Sequence, residues 1–499
     1  MPNCTKNLTE NINIIKKMFH GDNDVVMREF TIAVSGGIRA ALMYIDGLAG
    51  AKAVFDGVLN PLMLESRKLT QTVEIKSIGD VLDKLLTAGE ASTGNTIEKL
   101  CEVMLDGDCA LLLEGFDEFA FVNSRDFEKR SVTEPQTETV VRGPREGFTE
   151  AIRVNTSLLR RKIKNHHLRM DVITIGERTK TLVCMSYLDN LANPQTVAEI
   201  RRRLELIDTD AILSSGYIEE FIEDTPYSVF PTINYTEKPD VAAAQILEGR
   251  VAVIIDGTPF VLTLPMLFVE CFQSPEDYTV RFVYATFMRL LRLLSFITSL
   301  IAPALYVALV TFHQELIPTP LLFTIVAAEE GLPFPSCVET AIMLLTFEIM
   351  REAGVRLPNP VGQTVSIVGA LVMGQAAIQA GIVGAPVVIV IAFTAVASFL
   401  TPALSDTSAI LRWFFLVLAT VMGGFGIAVG LMVTLIHLAS LESFGVLYLY
   451  PFSPFELSGL KDSIIRSRLW KQRRRPSALK PQDNVRQGDT TEYEKRARP

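Results

Sequence analysis

The first 280 or so residues of this 499-residue chain lack any long apolar run, and the whole chain is short of the residues that usually announce chemistry. Of its five histidines, the adjacent pair His166-His167 has no His or Cys companion at i+4, so no metal site is expected there. The six cysteines (Cys4, Cys101, Cys109, Cys184, Cys271, Cys337) stand far apart, with neither CxxC nor metal-ligand spacing. They read as free thiols of a reducing compartment. There is no GxSxG or HExxH, and Gly143-Pro-Arg-Glu-Gly147 lacks the Lys-Ser/Thr ending of a P-loop. No stacking aromatics interleave with the basic residues, so no nucleic-acid partner is expected. The start, MPNCTKNLTENINIIKKMFHGD, has neither the apolar stretch nor the cleavage site of a secretory signal. This part reads as a cytoplasmic binding or regulatory region, not an enzyme, with no cofactor and no metal.

What the chain does have begins near residue 280. From Ala285 to about Leu441, apolar stretches are broken mainly by Gly, Pro and a few carboxylates. Segments 361–382, 383–402 and 410–438 reach or approach the ~20 apolar residues that cross a ~30 Å hydrocarbon core. A mean hydropathy of +0.30 beside 21% charged residues fits a composite chain. The expected architecture is an α/β N-terminal soluble region of two related subdomains followed by an α-helical polytopic membrane domain. Its divisions are a lead at 1–24, the α/β region at 25–280, the membrane domain at 285–445 and a basic, partly disordered tail at 461–499. The spans read as about 290–311, 361–382, 383–402 and 409–438. The segment 318–350 is broken by Gly331-Leu-Pro-Phe-Pro335, either as a re-entrant hairpin giving four crossings or as two short helices giving six.

Arg281, Arg289 and Arg292 stand at the entrance to the first span, and Arg466, Arg468, Lys471 and Arg473-Arg474-Arg475 follow the last, which places both ends in the cytoplasm. Either count leaves Arg351 and Arg356 outside, against that bias. The two subdomains are inferred from a repeat. The segment GDCALLLEG at 107–115 returns 142 residues later as GRVAVIIDG at 249–257, each an apolar strand running into an acid–Gly turn and a second strand. Between them, Arg142, Arg145, Arg153, Arg160, Arg161, Lys162, Lys164 and Arg169 form either a phosphate- or lipid-facing patch or a solvated face balanced by acids.

Polar groups within the apolar half are the candidate functional residues, since a charge at mid-bilayer costs roughly 2.5–3.5 kcal/mol on insertion scales. Glu329, Glu330, Glu339 and Glu348 either line an aqueous path or pair with Arg351 and Arg356. Val361, Val365, Val368, Val372, Gln375 and Gln379 share one helix face, as a buried seam or the wall of a narrow pore. Gly362, Ser366, Ala370 and Gly374 recur every four residues as a close-packing stripe, and Gly423, Gly424, Gly426 and Gly430 supply another.

Several strings resemble a known family. They are RGPREGF at 142–148, SLLRR at 157–161, EGRVAVIIDGTPF at 248–260, EDY at 276–278, IPT at 317–319 and LPFP at 332–335. REAGVRLP at 351–358, VGALVMGQA at 368–376, and SFG at 443–445 with Tyr448 and Pro451 complete the set. In this order they are similar to the A subunits of bacterial spore germinant receptors, the GerA family. The resemblance implies a subunit in the spore inner membrane. It would act with a transporter-like B subunit and a lipoprotein C subunit, turning nutrient sensing into ion release, as a homo-oligomeric ion channel in contact with membrane lipid. A stand-alone secondary transporter is the alternative, though such proteins usually show two repeated bundles with paired broken helices.

Overall fold

The computed structural model describes residues 3–32, 34, 37–68, 75–86, 91–125, 135, 138–356, 374–457 and 459–488. Two five-stranded antiparallel sheets occupy the N-terminal half. The first comprises β1 (Val25–Ile32), β2 (Ile38–Ile45), β3 (Ala91–Gly94), β4 (Cys109–Leu113) and β5 (Phe119–Val122), in the order β1-β2-β4-β5-β3. The second comprises β6 (Leu168–Ile175), β7 (Thr181–Leu188), β8 (Asn234–Thr236), β9 (Val251–Ile255) and β10 (Val261–Leu264), in the order β6-β7-β9-β10-β8. The topology is the same in both, so the repeat detected in the hairpins extends to whole subdomains. The acid–Gly turns work as their chemistry requires: Gly115 and Gly257 sit at φ +89° and +88°, where a side chain is strained.

Helices cover both faces of each sheet. In the first subdomain these are α1 (Leu8–Met18), α2 (Ala51–Val54, continued by wider helical turns to Glu65), α3 (Ile78–Leu85) and α4 (Ile97–Leu105). In the second they are α5 (Ile152–Lys162), α6 (Pro194–Glu205), α7 (Ser215–Ile222) and α8 (Pro239–Ile246). Alternation along β2 sends Ala41, Met43 and Ile45 into the layer under α1 and α4, while Ala40 and Leu42 enter the opposite layer. The segment read from the sequence as a lead, 1–24, contributes Cys4 and α1 to this core. Asn7 caps α1 by accepting from the Thr9 and Glu10 amides, and Leu8, Ile12, Ile15 and Phe19 are buried against β2 and α4.

The basic segment joins the two subdomains. Arg160 is fully buried, donating to Asp24 at 2.8 Å and 2.9 Å, to Asp22 at 3.0 Å and to the Leu168 carbonyl at 2.7 Å. Arg169, also buried, pairs with Asp189. Arg161 and Lys162 meet Glu146, Lys164 meets Asp106, and Arg153 meets Asp46. Of the two readings of this patch, the balanced one describes these residues, with the addition that Arg160 and Arg169 are interior groups.

The C-terminal half is helical. Among the described residues, two stretches are long and apolar enough to cross a bilayer, Phe282–Thr311 and Pro402–Ser440. The bundle comprises α9 (Phe282–Thr311), α10 (Thr319–Glu329), α11 (Ser336–Arg356), α12 (Ala385–Ser398) and α13 (Ser405–Ser440). α13 is not one rod. At Gly423 the backbone leaves the helix (φ 61°, ψ −140°), and a Cβ on Gly430 would lie 2.8 Å from the Phe415 ring. Fifteen residues of straight helix would hold those positions about 22 Å apart. Both ends of α13 also reach one loop: Thr407 donates to the Val229 carbonyl at 2.5 Å, and His437 meets the Ser228 hydroxyl at 3.0 Å. The run read as one span at 409–438 is therefore a hairpin with arms of about 27 Å and 25 Å. Its tip is packed under Phe312 and His313 at the far end of α9.

This hairpin settles the direction of the helices relative to the α/β half. α9 starts near it and ends at the tip, while the two arms go out and return. Arg351 reaches the Ser405 carbonyl at the near end, so α11 approaches the α/β half as it runs from Ser336 to Arg356. Arg351 thus lies on the same side as the other basic flanks, removing the conflict that the sequence reading left. α10 stays at the far side, where Glu329 meets Tyr306, and of the broken segment α11 runs between the far side and the α/β end.

The tail, read as partly disordered, packs on the second subdomain as far as Gly488. The Gln482 side chain donates to the Asp189 and Ala192 carbonyls at 2.8 Å and 2.7 Å, Leu479 is buried, and Arg475 reaches the Leu247 carbonyl.

Candidate functional site

The four glutamates of the broken segment do not form one cluster. Glu329 accepts from the Tyr306 and Ser336 hydroxyls, each at 3.0 Å. Glu339, buried three residues further on, accepts from the Gly384 amide at 2.9 Å and so caps the start of α12. Those two share the region where α10, α11 and α12 meet. The break arises locally: Gly331 takes φ +88°, and Pro333 and Pro335 withhold the amides that would continue α10. Glu330 points to the outside of the chain. Glu348 belongs to a different group near the α/β end, paired with Arg351 at 3.0 Å and with Arg412 at 3.0 Å. Arg356 pairs instead with Glu352 on an exposed face.

Arg412 was missed by sequence reasoning. It is fully buried in the first arm of α13, bonded to Ser408 and lying 5.5 Å from the Phe347 ring centre. A lone charge in an apolar run was the available signal, since such a residue needs a partner.

Of the Val/Gln face, Val361, Val365, Val368 and Val372 lie outside the described residues, as do Gly362, Ser366 and Ala370 of the small stripe. Gly374, Gln375 and Gln379 are described. Gly374 is buried, and a Cβ there would stand 3.2 Å from Val388 of α12. Gln375 and Gln379 are exposed on the outer surface of the single chain. Among the described residues no group of His, Cys, Asp and Glu could hold a metal ion.

Besides the contacts of Thr407 and His437 with the 228–229 loop, the helical half is tied to the α/β half beneath α9 and after α13. Beneath α9, the buried Arg289 pairs with Asp277 at 2.9 Å and Asp462 at 3.2 Å, and Arg292 pairs with Asp277 at 2.9 Å. After α13, the chain inserts Phe444 into the core of the second subdomain. Its amide donates to Asp224, the Arg203 guanidinium covers its ring at 4.6 Å, and Ser443 donates to the Thr232 carbonyl. Arg203 of α6 and Asp224, just after α7, thereby meet the end of the hairpin through Phe444.

A family model described as Bacillus/Clostridium GerA spore germination protein matches residues 13–478. The chain is 44% identical to Spore germination protein KA of Bacillus subtilis over 489 residues, covering 98% of this chain and 88% of that protein. It is 39% identical to Spore germination protein GerLA of Bacillus cereus, over 96% of this chain and 97% of that one. Against Spore germination protein A1 of Bacillus subtilis the identity is 35%, over 92% and 93%. A solved structure, the N-terminal domain of the A subunit of the Bacillus megaterium spore germinant receptor GerK3, is 35% identical over 54% of this chain and 98% of that chain, with a TM-score of 0.43.

Proposed function

This chain belongs to the GerA family of spore germination proteins, and on that premise we propose that it is the membrane subunit of a nutrient-germinant receptor that turns nutrient sensing into ion release. In this reading the helical half spans the spore inner membrane, with the α/β half and the tail both in the cytoplasm. A transporter-like B subunit and a lipoprotein C subunit complete the complex. The chain itself assembles as a homo-oligomeric ion channel.

The observation that carries the channel reading is the exposure of Gln375 and Gln379 on a chain whose Gly374 is turned inward. Amide side chains are costly against lipid, so this outer face calls for another copy or an aqueous path. By their spacing in the sequence, the valines at 361, 365, 368 and 372 would share that face, and one copy per subunit would surround the oligomer axis. A ring of β-branched apolar side chains closes such a path by dewetting. Glu329 and Glu339 would add negative potential that favours cations.

Deletion of the chain in its producing organism is expected to give spores that form normally but fail to respond to particular nutrients. Val368→Ala or Val372→Ala is expected to widen the constriction, so that ions leak and spores germinate without nutrient. If the face is only a packed seam, both variants lower the amount of complex and produce no leak. Ion release per unit of assembled protein separates these outcomes.

A further inference from the structure

Near the start of α9 the chain displays an exposed apolar and cationic surface. Val283, Tyr284 and Phe287 are exposed on the first turns of α9. The tail passes beside them: Arg466 accepts at its carbonyl from Thr286, and the Arg468 guanidinium covers the Phe282 ring at 4.7 Å and the Trp470 ring at 5.0 Å. Ile465 and Leu469 of this passage are 56% and 54% exposed. The segment is held in place rather than loose, since Gln487 donates to the Leu469 and Gln472 carbonyls and Arg474 bridges to Val485.

The charge around this surface is one-sided. Asp277 is engaged by Arg289 and Arg292, and Asp462 by Arg289 and Tyr278. Glu276 accepts from the Val141 amide. Arg281, Arg468 and Lys471 have no acidic partner among the described residues. Arg142 comes to the same edge, its carbonyl bonded to the Thr279 hydroxyl.

We propose that the tail passage from Ile465 to Lys471, together with Arg281 and the first turns of α9, forms an interfacial anchor that takes anionic phospholipid headgroups of the cytoplasmic leaflet. The proposal rests on the reading that α9 spans the membrane. Exposed apolar groups continuous with the entry of α9 assign the occupant to a bilayer surface, and Tyr284 and Trp470 have the amphipathic rings that settle at headgroup level. The unmatched cations supply the preference for negative lipid, at about fivefold in affinity for each charge near the surface.

Trp413 and Trp470 are the only tryptophans, so a Trp413→Phe full-length chain in a neutral detergent reports on Trp470 alone. Short-chain phosphatidylglycerol is expected to shift its emission to the blue and to saturate. Short-chain phosphatidylcholine and inorganic phosphate at equal concentration are expected not to. Arg281→Gln with Lys471→Gln should weaken the phosphatidylglycerol response about 30-fold. Equal response to the neutral lipid, a saturating response to phosphate, or an unaltered response in the double variant would each overturn the proposal. A readout that keeps both tryptophans is the number of anionic lipids retained per purified chain, which should fall in the double variant; an unchanged number counts against the anchor. Alkaline extraction of native membranes separates the underlying reading: release of the chain defeats the spanning model, whereas retention with a silent Trp470 defeats only the anchor.

Discussion

Gly423→Ala is expected to remove most of the correctly folded chain. At φ 61° and ψ −140° the backbone is in a region essentially reserved for glycine. The added Cβ would also lie 2.7 Å from Cγ and 2.8 Å from Cβ of Phe312. Backbone strain and overpacking each cost roughly 1–3 kcal/mol, so together they approach the total stability of an ordinary domain. The neighbouring Gly426 is as constrained, a Cβ there falling 2.2 Å from the Leu418 carbonyl oxygen. Thermal unfolding and yield of the full chain in detergent provide the measurement. Adding Phe312→Ala should remove the overlap with the ring atoms but neither the 2.8 Å contact with the remaining Cβ nor the strain, and so recover only part of the loss. Wild-type stability of Gly423→Ala would mean that the two arms of α13 do not turn at this residue.

The second large effect is expected at Arg160. Replacing it with Met leaves Asp22 and Asp24 buried without their shared guanidinium, a loss of about 3–5 kcal/mol for a broken interior ion pair. Burial already raises the Asp22 pKa despite the opposing effect of Arg160, and removal of Arg160 strengthens that direction. A carboxyl whose pKa is higher in the folded state than in the unfolded chain favours folding at low pH, and its contribution is lost as pH rises through the folded value. The Arg160→Met chain should therefore be least impaired near the ordinary aspartate pKa and worse toward neutral pH. Hydrogen exchange of β1 and β6 in the full chain reads this out as a loss of protection of roughly 100-fold or more at pH 7. Adding Asp22→Leu and Asp24→Leu should restore much of it, because an apolar replacement of the whole group leaves no unpaired charge.

The repeated hairpins were legible in the sequence because their information is local. A turn at Gly115 or Gly257 needs positive φ, and Asp-Gly or Glu-Gly writes that need directly into the chain. The role of α1 was harder to see, since a short helix with four buried positions looks like any amphipathic segment until the sheet it covers is known. The α13 hairpin was hidden by composition. Gly423-Gly424 breaks the run without a polar residue or a proline, so a count of apolar length sees a single span. Arg160 and Arg169 read as surface charge because their acids come from segments more than 100 residues earlier in the chain for Asp22 and Asp24. The docking of the tail depends on carbonyls as acceptors of Gln482, and backbone acceptors leave no mark on the sequence. Glu329 and Glu339 were singled out by their cost in an apolar setting, but only the fold separates them from Glu348, whose partner Arg412 sits in the first arm of α13.

The most direct test of ion conduction is flux through liposomes containing the purified full chain, measured for monovalent cations and for candidate nutrients in the same preparation. The account predicts a cation leak that rises in Val368→Ala, with no accumulation of nutrient against a gradient. Concentrative uptake of a nutrient by the chain alone, with cation permeability at the level of empty liposomes in both wild type and variant, would contradict it and favour a secondary transporter.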